Sequence, residues 1–160
     1  MTNREIAAVL FNISSILKAQ NGNPYRIRAY RRAARNLLRM RQQVADRLAA
    51  GKPLGVPLLG KSLTAKISIL ALTGKLDFYE ELCADLQPLE QLLMRVPGMG
   101  PTIAARIYHD LGNVGVEGLR RSVIEGRLQR VWGVGPKRTA AILDTIGGIP
   151  VRQERFDFAA

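Results

Sequence analysis

The stretch Leu92-Leu93-Met94-Arg95-Val96-Pro97-Gly98-Met99-Gly100-Pro101-Thr102-Ile103-Ala104-Ala105-Arg106-Ile107 decides the fold. It sets glycine-apolar-glycine between two segments with helical apolar spacing. Gly98 permits a tight turn with positive φ. Met99 points back and pins the flanking helices together. Gly100 opens the next helix and leaves its first backbone N–H groups uncovered. Pro101 falls in the first turn, where a missing N–H is tolerated. The free amides and the positive end of the helix dipole then converge on one spot, which attracts a phosphate.

The unit recurs. Leu128-Gln129-Arg130-Val131-Trp132-Gly133-Val134-Gly135-Pro136-Lys137-Arg138-Thr139-Ala140-Ala141-Ile142-Leu143 is a second copy, and Val56 to Ile67 is a weaker third. Related units in one short chain argue for a built feature rather than a chance turn. The contacts read from them are Gly98, Gly100 and Thr102, then Gly133, Gly135, Lys137 and Arg138, then Gly60 and Lys61. Arg106 lies one turn into the helix after its hairpin. Trp132 takes the place of Pro97 and is read as a packing residue rather than a base-stacking platform. Helical hairpins also serve as protein docking surfaces, so an adaptor that recruits another protein stays open.

Charge names the partner. The 160 residues carry a net charge of +11. Of the 24 basic residues, 18 are Arg and six are Lys. Arginine forks suit phosphate, and nucleic acid is the commonest partner of a basic domain. Contacts to the backbone do not read bases, so binding should be insensitive to sequence and fall steeply with salt. The expected partner is DNA, whether duplex, gapped or nicked; acidic proteins and membrane surfaces also answer such a charge.

Other classes fall away. The lone cysteine, Cys83, cannot make a disulfide framework and reads as a small core residue. With His109 as the only histidine, a zinc site lacks ligands. There is no signal peptide and no long apolar run, which fits a cytoplasmic, nucleoid-associated monomer that meets no membrane.

The helical pattern covers the chain. Asn3 is placed to cap a helix over about Arg4–Ala19, with Ile6, Val9, Leu10, Ile13 and Leu17 on one face. Gln20 to Pro24 breaks it. Further helices span about Arg26–Leu38, Arg41–Ala50, Ser62–Leu72 and Asp77–Leu86. Arg28, Arg31, Arg32, Arg35 and Arg39 crowd the second. The fold class is all-α: two small helical subdomains with tandem helix-hairpin-helix motifs. Residues 1–86 form the first, with a degenerate hairpin; residues 87–150 form the second; residues 151–160 are a tail. In the tail, Gln153, Phe156 and Phe158 faintly resemble a sliding-clamp-binding segment.

Taken together these residues resemble a family. Asn23-Pro24-Tyr25-Arg26-Ile27-Arg28-Ala29-Tyr30-Arg31-Arg32-Ala33-Ala34 resembles the start of the N-terminal lyase domain of bacterial family X DNA polymerases, and less closely that of DNA polymerase beta. Val56 to Ile67 is similar to that family's first hairpin, and Leu72-Thr73-Gly74-Lys75-Leu76 to its next turn. Val96 to Ile107 resembles the hairpin of the fingers, and Val131 to Leu143 the segment before the palm. The resemblance covers residues 3–148. It stops where the catalytic palm would begin, so neither polymerase nor nuclease activity is expected of these residues. It implies a DNA-repair role at gaps or 5′-phosphate ends, beside a repair-protein partner.

It also implies chemistry. Family lyase domains cleave a 5′-deoxyribose phosphate by β-elimination through a lysine Schiff base, and Lys66 matches that nucleophile. Lys66 sits on the margin of the Leu63, Ile67, Leu70 stripe, where partial desolvation favours the free amine. Tyr30 matches an aromatic residue near that site. Arg26 matches a phosphate-binding position, with Lys61 and Lys75 close in sequence. The departures are Leu58 where glycine is expected, Ser62 where some relatives have a basic residue, and Tyr25 where a histidine can occur. A leucine at the turn implies backbone strain. No organic cofactor is required. Hairpins of this family can coordinate a monovalent cation through main-chain carbonyls, which implies Na+ or K+ at Val96 and Gly98.

Overall fold

The first helix, α1 (Asn3–Ala19), begins at a reciprocal cap. The Thr2 hydroxyl accepts the Glu5 amide, and the Glu5 carboxylate accepts the Thr2 amide at 2.7 Å. Asn3, expected as the cap, has another task. Its side-chain amide donates to the Gln42 carbonyl and its Oδ1 accepts from Val44 N at 2.8 Å. Asn3 is buried, and a buried amide must be paired. Thr2 is free to cap because its hydroxyl stays at the surface.

A computed structural model of the chain describes residues 1–147; the clamp-like tail lies outside them. Among the described residues the structure is helical, with no strand. It divides into two compact units, Met1–Leu86 and Gln87–Ala160. No described helix is long and apolar enough to cross a membrane.

In the first unit, α1 packs chiefly on α2 (Pro24–Arg39). The start of α2 lies earlier than the spacing indicated, because Asn23 Oδ1 caps it and Pro24 opens it. The next helix, α3 (Val44–Ala49), is shorter than its apolar pattern, since Gln42 and Gln43 are engaged with Asn3. Then come α4 (Lys61–Thr73) and α5 (Asp77–Ala84). Ile6, Leu10, Ile13, Leu37, Ile67 and Leu70 are almost fully buried in one core. Burial of each such side chain contributes roughly 1.5–3 kcal/mol.

The second unit holds α6 (Pro88–Leu93), α7 (Pro101–Leu111), α8 (Val116–Ile124), a short 3₁₀ turn at Leu128–Arg130, and α9 (Pro136–Gly147). Its core repeats the sequence repeat. Leu93, Val96, Met99 and Ile107 are buried, and so are their counterparts Leu128, Val131, Val134 and Ile142. The apolar residue between each glycine pair therefore points inward, as its role as a pin requires.

The turns share one backbone form. Val96 O accepts from Met99 N at 3.1 Å and Val131 O from Val134 N at 3.0 Å. Gly98 and Gly133 lie in the left-handed region, at φ 75° and 89°. This is the type II turn, which demands positive φ at its third residue. Leu58 occupies that position in the first copy, and it too is left-handed, at φ 58°. The strain expected there is real, and neighbours hold it. Arg32 Nη2 donates to the Leu58 carbonyl and Asn36 Nδ2 to the Pro57 carbonyl, each at 3.3 Å.

Leu58→Gly should relieve about 1–2 kcal/mol of left-handed strain and cost about 0.5–1 kcal/mol of backbone entropy. Its side chain is 72% exposed, so little packing is lost. Urea denaturation of the first unit's transition should show a gain of up to about 1 kcal/mol. A loss of stability would mean that the leucine side chain supports the turn.

Candidate nucleic-acid interface

Each turn opens a helix at a glycine with ordinary φ. Gly60 and Gly100 begin α4 and α7 in extended backbone, and no side chain caps either helix. The first amides of these helices therefore lack the acceptor a serine or aspartate would supply. Two threonines bond back to the helix start instead. Thr64 Oγ1 donates to the Gly60 carbonyl at 3.0 Å, and Thr139 Oγ1 to the Gly135 carbonyl at 3.1 Å. Thr102, two positions nearer the start of its helix, stays exposed in the first turn of α7.

A Cβ built on Gly60 or Gly135 would meet nothing within 4 Å. Neither position needs a glycine for its own packing. A glycine at a helix start also leaves its first amides accessible to an anion.

In the second unit the two turns converge. Pro97 and Gly98 from one hairpin, and Gly135, Pro136, Lys137 and Arg138 from the other, line a single open cleft of about 400 Å³. Lys137 is exposed. Arg138 leans back, its Nη1 donating to the Gly133 carbonyl at 2.6 Å. Arg106 behaves in the same way: its guanidinium lies 4.3 Å from the centre of the Trp132 ring. Trp132 is not a packing residue. It is 76% exposed, because the second position of a type II turn faces away from the core. The Val96 carbonyl, an expected cation ligand, accepts the Met99 amide and keeps a second lone pair.

The first unit assembles a separate cluster. Tyr30 is buried and stacks on Phe78 with ring centres 6.5 Å apart. Arg26 lies 4.9 Å from the Phe78 ring centre and 6.0 Å from that of Tyr30. Lys66 Nζ sits 5.3 Å from the same Phe78 ring and donates to Ser62 Oγ at 2.7 Å. Partial burial and then the Arg26 charge lower the Lys66 pKa from its ordinary value. Burial pushes the Tyr30 phenol up, so it stays protonated and forms the floor of the cluster.

The structure thus brings Lys66, Tyr30 and Arg26 together, with Lys61 exposed at the start of the same helix. Lys75 is exposed at the turn after α4, where Thr73 Oγ1 accepts its amide. Phe78 and Ser62 complete the cluster; Ser62 is one of the departures from the family, and sequence reasoning missed Phe78. The only available signal was the aromatic residue three positions after Lys75. Cys83 is partly buried and its thiol pKa is raised, mainly by that burial, so it is a poor nucleophile. His109 is exposed beside Asp110 at 3.1 Å and belongs to no cluster.

The charge is largely uncompensated. Among the described residues, only Arg120 and Arg127 pair with carboxylates, and both pairs are at the surface. The arginines of α2 and of the hairpins keep their charge for an outside partner.

Residues 1–76 match the model of a helix-hairpin-helix domain, and residues 90–147 that of a SAM-like helix-hairpin-helix tandem. Over 156 residues, 98% of this chain, the sequence is 24% identical to the DNA polymerase/3′-5′ exonuclease PolX of Bacillus subtilis (strain 168). The chain spans 27% of that relative's length, in its N-terminal part. Each unit of the chain thus matches a helix-hairpin-helix model, and such domains indicate DNA binding without sequence reading.

Proposed function

We propose that this chain grips DNA by its phosphates and prefers gaps or 5′-phosphate ends, in DNA repair. The observation that carries the reading is the repeated turn: a left-handed residue, an inward apolar pin, and a glycine that opens a helix with space above its amides. Two such turns facing one cleft can hold neighbouring phosphates of one strand. The first unit supplies a further anion site. Arg26 and Lys66 share one aromatic ring with no carboxylate paired to either among the described residues, and their repulsion falls when a phosphate joins them. The same reading carries a monomer at the nucleoid, working beside a repair enzyme, with Na+ or K+ on the Val96 and Gly98 carbonyls of the second hairpin.

Fluorescence anisotropy with intact, nicked and gapped duplexes, at low and moderate salt, tests it. Affinity should be sequence-independent and fall steeply with salt, by about one logarithmic unit per unit of log salt for each phosphate neutralised. Gly60→Ala and Gly135→Ala should fold normally, since each Cβ has room. Each should weaken DNA binding by roughly tenfold, the worth of one charge-assisted hydrogen bond. Unchanged affinity in both variants would remove the turns from the interface. Absence of binding at low salt would leave a protein partner instead.

A second reading is favoured by the lowered pKa of Lys66. The chain then acts as a 5′-deoxyribose phosphate lyase. The neutral amine adds to the sugar aldehyde and water leaves as the Schiff base forms. Loss of a proton from the adjacent carbon then expels the phosphate on the following carbon. Borohydride trapping on a 5′-incised abasic site should give a covalent adduct that Lys66→Ala abolishes. Because burial lowers the folded-state pKa, free amine accumulates at lower pH than for ordinary lysine. Trapping should therefore rise at a lower pH than an ordinary lysine would give. No adduct from the parent protein would end this reading.

A further inference from the structure

Trp132 departs from the repeat in a way that the phosphate-gripping role does not explain. The other two turns place proline at this position, Pro57 and Pro97. Proline stiffens the turn by fixing φ. The third turn gives that up and presents an indole to solvent, 76% exposed. One ring face carries the Arg106 guanidinium at 4.3 Å, close enough for a cation–π contact that holds the ring in place. Most of the indole's surface remains available to a partner.

The neighbours make the indole more than a stray apolar group. Gly133 follows it directly, at φ 89°, and Gly135 and Lys137 stand at the cleft shared with Pro97 and Gly98. A phosphate seated on the α9 amides brings its own sugar and base alongside this turn. In an intact duplex that base is stacked and paired. In a gap or a frayed end it is free to swing onto a flat surface. Resting on the Proposed function, we infer that Trp132 is a stacking platform for an unpaired base. The resulting layer of base, indole and guanidinium gives the chain its preference for gapped over intact DNA. Arg106 is the positioning residue beneath the platform. The surrounding positive charge favours a nucleotide over an apolar protein segment on this surface.

The chain reports on the idea directly, because Trp132 is its only tryptophan. Binding is followed by anisotropy of labelled DNA, and the indole by fluorescence excited at the red edge, where tyrosine does not absorb. Saturation with a gapped duplex should quench Trp132 and shield it from acrylamide. Saturation with intact duplex should do neither. Trp132→Ala should keep its affinity for intact duplex and lose roughly tenfold for gapped duplex. Trp132→Phe should restore part of that loss, and Arg106→Gln should weaken both the quenching and the preference. Three results overturn the inference while leaving backbone binding intact: no quenching on gapped DNA that is bound, equal quenching on intact duplex, or a Trp132→Ala variant that discriminates like its parent. The last would hand the exposed indole to a protein partner. Absence of any anisotropy change at low salt overturns the DNA reading itself, and this inference with it.

Discussion

A residue held at positive φ in each of three turns is the constraint on which the rest depends. The left-handed residue reverses the chain within four positions. That reversal turns the next apolar side chain, Met99 or Val134, into the core and aims the following helix start outward. Packing and binding are thus two outputs of one dihedral. If the turn opened, the pin would leave the core and the amides would no longer face a common point. The open space above Gly60 and Gly135 matters only because the turn has already aimed those amides.

The cluster in the first unit obeys a different constraint, that of like charges held together. Phe78 gives Arg26 and Lys66 a shared negative ring face, and Tyr30 below it excludes water from one side. The ring moderates the repulsion without neutralising it. Such a site is at its most stable with an anion present, and the two cations respond differently to one. Arg26 offers a planar fork of donors. Lys66, partly buried, is the one that can give up its proton.

Much of this was legible in the sequence, and the boundary of legibility is physical. The turns could be read because glycine spacing and apolar periodicity are local properties. Leu58 was read as a strained substitute for glycine, and its φ of 58° bears that out. What could not be read was the bracing of that strain, since Arg32 and Asn36 reach Leu58 and Pro57 from a helix more than 20 residues away in sequence. The placement of Asn3 failed for the same reason. Its composition suits a cap, but its partners come from far along the chain, Gln42 in the link after α2 and Val44 at the start of α3. Trp132 was misjudged because a motif position tells which residue precedes the left-handed one, and says little about which way its side chain faces.

The bracing of Leu58 has a consequence for modularity. The second and third turns carry their own conformational solution in Gly98 and Gly133, so neither left-handed residue carries the steric strain of a side chain. The first turn has outsourced its geometry to Arg32 and Asn36. It can travel only with α2, and a graft of residues 56–67 alone would arrive with its turn unsupported. That dependence ties the first hairpin to the helix that also carries Arg26 and Tyr30, so a change in α2 reaches the turn and the Lys66 cluster together.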